Sequence, residues 1–465
     1  MTHFRRPLLA AAALLSLGAP LTAQPDLRGT IPVFEETFDG PLNRYDGTSG
    51  LWSTFGINNR LMTNAAEAVF LDYGLLGKEV DDLLPPLHVV TDDGLSLRTV
   101  HLPEEILPTV RSYMEKTGQA QMAHKIRFGT SRVSTQETWA QTYGYFEIEA
   151  RIPRGKGRWP AFWLVYAGPG WPPEIDVFEA YGAGIDGPTN KDHTFNTAVF
   201  FDELDGNRDA THNTDITNPY ARNEADKQPK VRTRGNRKIY NFKQLNDARK
   251  DLGADIYDDF HTYAAMWTPE HVIFYFGKTR ETLKEIFRTP TPDDVKEPMF
   301  VIANDQFTAR GGWWGARESE LKDGLTPEND FRIRRITVRA LEPSLQLAMA
   351  DGQSPADDRD SVITDTAGDD TIVVGEGFDL VRLSDGADLV RIASGHHSKM
   401  IAGFGPDDRV ELSRFRFKGN ADVMDRLTQV GDDVWLSSGR YPWPQTIVFR
   451  DRKVADLRTD QFILK

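Results

Sequence analysis

Short runs of alternating apolar and polar residues recur along most of this chain. They include residues 143–152, 161–166, 271–276, 299–303 and 331–338. Because successive side chains of a strand point to opposite faces, these runs predict half-buried antiparallel strands. Helical spacing is limited to residues 103–115 and 251–260. Many strands without an alternating series of helices predict an all-β sandwich of the jelly-roll type over residues 30–342.

A nine-residue period follows in the C-terminal part of the chain. Gly-x-Asp and a group of apolar residues recur three times from Gly368, which places Asp370, Asp379 and Asp388 at equivalent positions. A fixed short period predicts stacked parallel turns, since a single turn cannot bury its own apolar face. Residues 343–362 are small and polar and predict a linker. We therefore expect a small, acidic β-roll or solenoid-like module with its own core in residues 363–465.

The first residues have the features of an export signal. Arg5 and Arg6 precede a short apolar run, and residues 21–23 form a small-residue cleavage site. The run is shorter than the ~20 residues that span a bilayer. Residues 1–23 therefore predict a signal peptide and a secreted protein, with the periplasm as an alternative location and no membrane partner.

Charge and composition narrow the functional classes further. The 465 residues carry a formal net charge of −14 and no cysteine, which excludes disulfides, thiolate metal sites and cysteine nucleophiles. Residues 222–250 are basic although the whole chain is acidic, because they contain ten Lys or Arg and three acids. We expect no nucleic-acid partner, because the chain has no binding motif and is predicted to be exported. A metalloprotease is excluded, because no His-Glu-x-x-His occurs.

We expect the protein to be a monomer.

The candidate chemistry lies in one predicted strand, where three carboxylates occur within six residues. Glu174 and Asp176 share a face because they are two positions apart, whereas a regular strand would turn Glu179 to the other face. A one-residue β-bulge after Asp176 would bring Glu179 back beside them. Three neighbouring carboxylates repel one another, so at least one should hold a proton at neutral pH. Retaining glycosidases need such a mixture of ionised and protonated carboxyl groups. The alternative is a solvated acidic edge strand.

Three tryptophans near this strand could bind flat sugar rings. Trp159 and Trp163 share one strand face, and they would line a cleft if Phe162 and Leu164 on the opposite face enter the core. The alternative is that both tryptophans are core residues. Trp171 lies just before the acidic strand and could line either side.

These segments together resemble glycoside hydrolase family 16. The resemblance rests on the Glu-x-Asp-x-x-Glu motif, the preceding segments 143–151 and 157–164, and segments 260–269, 298–304 and 331–338, which occur in the expected order. It implies a concanavalin-like jelly roll with a substrate cleft across one sheet. It also implies that Glu174 is the nucleophile, Glu179 the acid/base and Asp176 the assisting carboxylate. His193 and Asn196 follow the acidic strand, where family members often place a polar group near the sugar.

The C-terminal period resembles the repeats-in-toxin β-roll. That resemblance implies calcium at Asp370, Asp379 and Asp388, and the alternative is a metal-free solenoid held by its apolar stripe. No cofactor is expected for catalysis itself.

The sequence thus favours a secreted, endo-acting, retaining β-glycanase whose partner is a polysaccharide. We expect β-1,3- or mixed-linkage β-glucan as the substrate. The alternatives are an anionic galactan of the agar or carrageenan type or an acidic exopolysaccharide, which the basic run would favour. A further alternative is a non-catalytic polysaccharide-binding protein on the same fold. The retention of all three acids argues against it.

Overall fold

Two stacked antiparallel sheets contain most of the strands between residues 30 and 341. The computed structural model describes residues 24–56, 60–61, 67–181, 193–203, 214–249, 253, 255–308, 325–350, 352–354, 358–392, 397–412, 415–439 and 442–464. The predicted signal peptide, residues 1–23, lies outside this part of the chain. Within the described part, no helix is long and apolar enough to cross a membrane.

The strands of this region alternate with loops and turns from its first residue to its last, as the polar–apolar alternation predicts. They are β1 (Thr30–Glu36), β2 (Ala68–Phe70), β3 (His88–Thr91), β4 (Gly94–Leu97), β5 (Val100–His101), β6 (Phe128–Thr130), β7 (Arg132–Ser134), β8 (Gly144–Arg151), β9 (Arg158–Tyr166), β10 (Glu174–Glu179), β11 (Thr194–Asp202), β12 (Lys230–Arg234), β13 (Arg237–Asp247), β14 (His261–Trp267), β15 (His271–Gly277), β16 (Lys284–Pro290), β17 (Met299–Phe307) and β18 (Phe331–Leu341).

We call the two sheets front and back. The front sheet has the strand order β12-β13-β11-β10-β9-β17-β7, and the back sheet has the order β16-β15-β14-β8-β18-β4-β3, with β1 also paired to β18. Alternate residues of both sheets enter one core, for example Phe146 and Ile148 from β8 against Phe162 and Leu164 from β9. This confirms the predicted all-β sandwich, and it turns the other face of β9 and β10 away from the core.

The α-helices of the described chain are short, and three of them lie beside the sandwich while the fourth belongs to the roll. The helices are α1 (Lys78–Asp81), α2 (Leu107–Lys116), α3 (Ala120–Ala123) and α4 (Asn420–Asp425). Helix α2 confirms the helical spacing seen in residues 103–115, and it packs Val110 and Met114 into a satellite cluster. The second predicted helix, residues 251–260, lies partly outside the described residues. Its described end, from Asp255, is a turn rather than a helix.

The C-terminal region is a two-sheet roll. Its strands are β19 (Leu345–Ala348), β20 (Ser361–Thr364), β21 (Thr371–Val374), β22 (Asp379–Arg382), β23 (Leu389–Ile392), β24 (Lys399–Ala402), β25 (Arg409–Glu411), β26 (Leu427–Val430), β27 (Asp433–Ser437), β28 (Thr446–Phe449) and β29 (Phe462–Ile463). One sheet has the order β19-β20-β22-β24-β28-β27-β26, and the other has β21-β23-β25-β29. Strand β19 lies inside the segment predicted as a linker, so part of residues 343–362 belongs to the roll.

Successive nine-residue units alternate between these two sheets. Ser361 pairs with Asp379 in the first sheet, and Thr371 pairs with Leu389 in the second, all in parallel register. Strand neighbours are therefore two units apart, and one full coil of the roll contains two repeats of the predicted period.

The roll has a buried core of its own, and its first sheet also packs against the sandwich. Val362, Leu380, Met400 and Val448 from its first sheet belong to the same buried cluster as the sandwich core. The next residue of each strand points instead into the roll, as Ile363 and Val381 do. This sheet is consequently buried on both faces, and it joins the two regions through apolar packing.

Trp435 on β27 is the largest roll side chain in this junction. It is 2% exposed, and its ring centroid lies 5.1 Å from that of Trp139 and 5.9 Å from that of Phe34.

We predict that Trp435→Ala lowers the free energy of unfolding by about 3–5 kcal/mol, as expected for removal of a buried tryptophan. Chemical denaturation should show the sandwich and the roll losing stability together. The control is Val231→Ala, because Val231 is 54% exposed on β12. A variant in which only one of two separate transitions moves would contradict the shared core.

Candidate active site

Strand β10 lies in the middle of the front sheet, between β9 and β11. Its pairing with β9 is regular at Glu174 and Asp176 but shifts by one residue between Asp176 and Phe178. The pairing with β11 also shifts, between Asp176 and Glu179. This is the predicted β-bulge, and it returns Glu179 to the face that carries Glu174 and Asp176. Because β10 has neighbours on both sides, the alternative of a solvated edge strand is wrong.

A cavity opens over this row of acids on the outer face of the front sheet. Phe162 and Leu164 enter the core, so the alternate residues of β9 face the cavity, as predicted. The lining residues come from strands β9, β10 and β17: Trp159, Ala161, Trp163, Glu174, Asp176, Glu179, Asn304 and Gln306.

Indole N–H groups hold the two outer carboxylates. Trp171 donates to Glu174 Oε2 at 2.8 Å, and Trp159 donates to Glu179 Oε1 at 3.1 Å. The other oxygen of Glu179 accepts from the Tyr181 hydroxyl at 3.4 Å and lies 3.5 Å from Lys243 Nζ. The two glutamates therefore differ in environment, since among the described residues only Glu179 has a cation at this distance.

Burial and mutual repulsion keep protons in this cluster. Burial, followed by the charge of Glu179, raises the pKa of Glu174 to about 8. The pKa of Asp176 is also raised, first by burial and then by the charges of Glu179 and Glu174. Asp176 is 3% exposed, and its Oδ2 has no hydrogen-bond partner among the described residues. Glu174 and Asp176 therefore keep protons more readily at neutral pH than isolated carboxyl groups do, and acid/base chemistry can use such protons.

The structure brings most of the predicted binding residues to the acids. Trp159 and Trp163 line the cavity, and Trp171 contacts Glu174. Asn196 is the register partner of Glu179 on β11. His193 differs, because it is buried with Nδ1 3.2 Å from Asp255 Oδ1 and does not line the cavity.

Four polar residues of the site were not predicted. They are Tyr181, Lys243, Asn304 and Gln306. Asn304 accepts a 2.7 Å hydrogen bond from the Trp163 indole, which fixes the orientation of that ring. Asn304 and Gln306 share the alternation of β17, so a sequence argument that placed β17 beside β9 would have found them. Lys243 was noted only as a member of the basic run.

The basic run forms the β12–β13 hairpin at the edge of the front sheet. Arg232 lies 5.1 Å from the ring centroid of Trp171, and Arg234 lies 5.7 Å from it. Neither guanidinium forms an ion pair with a described carboxylate. Arg237 is already engaged, because it forms an ion pair with Asp202 and donates to the Trp171 carbonyl. The free cations of the hairpin thus lie on the Glu174 side of the site.

The predicted metal residues of the roll are only partly brought together. Asp370 and Asp388 form a cluster with Asp365 whose ligand atoms all lie within 4.8 Å of one another. Asp379 lies in the other sheet, where it contacts Lys399 Nζ at 3.4 Å and accepts from Ser361 at 2.6 Å. The cause is the alternation of the repeats between the two sheets, which sends every second aspartate to the opposite side.

This aspartate cluster has the oxygen chemistry that a hard cation takes. Asp388 is 1% exposed, and its Oδ2 has no hydrogen-bond partner among the described residues. Burial, followed by the charges of Asp408, Asp365 and Asp370, raises the pKa of Asp388 to about 6. Carboxylates in this position repel one another at neutral pH.

The family comparison covers the region of the acids. Residues 106–223 match the sequence profile of the glycosyl hydrolases family 16. The endo-1,3-1,4-beta-glycanase ExsH of Rhizobium meliloti is 30% identical over 220 residues, which are 47% of this chain and 35% of that protein. The beta-glucanase of Rhodothermus marinus is 28% identical over 222 residues, 43% of this chain and 57% of that protein. The chain thus spans about a third to just over half of the length of these curated relatives.

A solved structure is also similar. The laminarinase catalytic domain of Thermotoga maritima superposes with a TM-score of 0.42 and 16% identity, covering 67% of this chain and 98% of the laminarinase domain. The segment that carries Glu174, Asp176 and Glu179 is therefore similar in sequence to glycosyl hydrolase family 16, and this similarity supports a glycoside hydrolase.

Proposed function

We propose that this protein is a secreted, endo-acting, retaining β-glycanase. The observation that carries the proposal is the row of three carboxylates that the β10 bulge places on one face of the front sheet. Trp159 and Trp163, which lie beside the acids, offer the flat apolar faces against which sugar rings pack. A non-catalytic binding protein would not need this costly concentration of negative charge.

The proposed reaction has two steps. The reactive form has Glu174 ionised and a proton on Glu179, which is the reverse of the distribution that the raised pKa of Glu174 favours, so a proton must first pass from Glu174 to Glu179 within the cluster. Glu174 then attacks the anomeric carbon, the glycosidic bond breaks, and Glu179 gives its proton to the leaving oxygen. Glu179 then removes a proton from water, the water oxygen attacks the anomeric carbon, and the bond to Glu174 breaks. Two inversions give net retention of the anomeric configuration.

The neighbours of the acids have separate roles in this scheme. The Trp171 indole orients Glu174 by its 2.8 Å hydrogen bond. Asp176 lies between the two glutamates along the strand, and we assign it the role of holding a proton in the cluster and adjusting the charge of Glu174. The charge of Lys243 favours the ionised forms of Glu174 and Asp176 and so limits the rise of their pKa values.

For the substrate we propose β-1,3- or mixed-linkage β-glucan. Two relatives whose names describe them as endo-1,3-1,4-beta-glycanases support this proposal. We further propose that residues 1–23 direct export and that the protein acts as a monomer on extracellular or periplasmic polysaccharide, as the sequence pattern indicates.

A second candidate substrate is an anionic polysaccharide. Arg232 and Arg234 favour it, because both guanidiniums lie over Trp171, which in turn contacts Glu174. A carboxylate or sulfate group on a bound sugar would meet two cations there, and guanidinium groups bind such anions through paired N–H donors. One relative is named as a keratan-sulfate endo-1,4-beta-galactosidase.

We also propose that calcium binds the roll at Asp365, Asp370 and Asp388. The buried, unpartnered oxygen of Asp388 supports this assignment. A divalent cation would relieve the repulsion among these carboxylates and would stabilise the fold, and it takes no part in the hydrolytic step.

The catalytic roles predict distinct losses on substitution. Glu174→Gln and Glu179→Gln should each lower kcat by about 10²–10⁴-fold while substrate binding persists, and Asp176→Asn should show a smaller loss. Azide should restore turnover to Glu174→Ala and give a glycosyl azide of inverted configuration. Reducing-end assays on laminarin, lichenan, agarose, carrageenan and an acidic exopolysaccharide measure the losses of hydrolysis, and NMR spectroscopy of the products identifies the glycosyl azide, which has no reducing end. Glu203→Gln, an exposed carboxylate just after β11, is the control. Near-normal activity of Glu174→Ala on every cleaved polymer would contradict the assignment.

The choice between neutral and anionic substrate can be tested on the hairpin. The double variant Arg232→Gln/Arg234→Gln should raise KM for an anionic polymer by about tenfold, and the difference from wild type should shrink as salt screens the charges. KM for a neutral glucan should stay unchanged. Lys238→Gln is the matched control, because Lys238 pairs with Thr233 on the opposite face of the same hairpin. Equal KM values of variant and wild type on all cleaved polymers would exclude the anionic candidate.

Calcium should raise the melting temperature of the full-length protein relative to the protein in chelator. Asp388→Asn should abolish that difference, whereas Asp385→Asn, an exposed neighbour, should preserve it. Differential scanning calorimetry provides the measurement. Identical melting temperatures in calcium and in chelator would favour a metal-free roll.

A further inference from the structure

The loop between β27 and β28 of the roll is fixed against the sandwich at both of its ends. Ser437 donates to the Glu137 carbonyl at 2.9 Å, and Thr446 donates to the Thr138 carbonyl. The apolar junction around Trp435 lies on the same pair of strands. The two strand ends that flank this loop are therefore attached to the sandwich by hydrogen bonds as well as by apolar packing.

Trp443 in this loop makes a specific contact with the end of β9. Its amide donates to the Ala167 carbonyl at 3.0 Å. Its ring centroid lies 5.1 Å from that of Tyr166 in an edge-to-face arrangement. The backbone of Trp443 is in the left-handed region, with φ of 67°. This conformation is rare for a bulky residue and is found where the surroundings or a function demand it.

The Trp443 indole also joins the aromatic patch of the candidate active site. Trp163, Trp171 and Trp443 all pack, half-buried, against one set of buried apolar residues that includes Val165 and Ala167. Val165 is the register partner of Glu174. Ala167 is two residues further along the chain, so the Trp443 amide lies only about 7 Å beyond the level of Glu174 in the strand direction.

Packing within the roll does not by itself explain why residue 443 is a tryptophan. The roll already buries Trp435, Met400 and Val448 in the shared core, whereas Trp443 remains partly exposed beside two tryptophans that adjoin the acids. Partly exposed aromatic side chains next to a polar cavity are typical of surfaces that bind flat, amphipathic ligands.

We infer that Trp443 is a substrate-binding residue, and that the C-terminal roll thereby supplies one wall of the cleft. Its ligand is a sugar unit of the same polysaccharide chain that is bound at Glu174, located beyond the bond that is cleaved. This inference rests on the proposed function for the identity of the ligand. It gives the roll a role in selecting long substrates, in addition to any role in stability.

Chain-length dependence tests this role, since only a substrate long enough to reach Trp443 gains from it. With laminarin- and lichenan-derived oligosaccharides of increasing length, Trp443→Ala should raise KM about tenfold for long chains. It should leave kcat, and both constants for the shortest cleaved oligosaccharide, unchanged. Trp443→Phe should recover part of the loss. Phe417→Ala is the matched control, because Phe417 is a half-buried aromatic residue that packs on the opposite, roll-only core.

Direct binding separates this inference from the proposed reaction. Calorimetric titration of the same oligosaccharides into Glu174→Gln and into Glu174→Gln/Trp443→Ala should show about tenfold weaker binding in the double variant for long chains only. If the double variant binds long chains more weakly but the wild-type protein cleaves no substrate, the proposed hydrolase reaction is wrong and the binding role of Trp443 stands. Equal binding at every length, or an equal fall in kcat on short and long substrates, would overturn the role of Trp443.

Discussion

The arrangement of the site depends on one constraint, which is that three carboxylates share one face of a central strand. The β10 bulge imposes it, because without the extra residue Glu179 would point into the core. The mutual repulsion of these carboxylates and the cost of burying their charges then have to be offset by nearby groups. The balance comes from the raised pKa values of Glu174 and Asp176, from the indole donors of Trp159 and Trp171, and from Lys243 beside Glu179. Trp159 comes from the adjacent strand β9, Trp171 from the segment before β10, and Lys243 from β13, which lies two strands away. The electrostatics of the site therefore depend on the strand order of the sheet.

The second structural theme is a sheet that is buried on both faces. In the roll strands β20, β22 and β24, adjacent apolar residues such as Val362 and Ile363 point to opposite sides, one to the sandwich and one into the roll. In the strands of the other roll sheet, buried and exposed side chains alternate, and residues such as Arg391 remain exposed. Consecutive apolar residues are the expected pattern of a strand that is covered twice. The sequence therefore already contained the signal that the roll docks onto the sandwich.

Sequence reasoning succeeded where local periodicity decides the outcome. The alternation of β9 predicted the separation of Trp159 and Trp163 from the core, and the spacing of the acids predicted the bulge. It failed where the outcome depends on partners that are distant in sequence. Lys243 reaches Glu179 only because β13 pairs with β11, and β11 pairs with β10. The nine-residue period groups Asp379 with Asp370 and Asp388 as if each repeat were one full turn, whereas the fold uses two such units for each coil. The resemblance to family members puts His193 near the sugar, and its contact with Asp255 cannot be read from the spacing.

The central claim is that Glu174 becomes covalently bonded to the sugar. It is tested most directly by trapping that intermediate with a 2-fluoro glycoside bearing an activated leaving group, followed by peptide mass spectrometry. The account predicts one adduct per protein, on Glu174 in the peptide that contains β10, and no adduct in Glu174→Gln. An adduct on Asp176 or Glu179, or complete absence of an adduct from a protein that turns over the same glycoside with retention, would contradict the account.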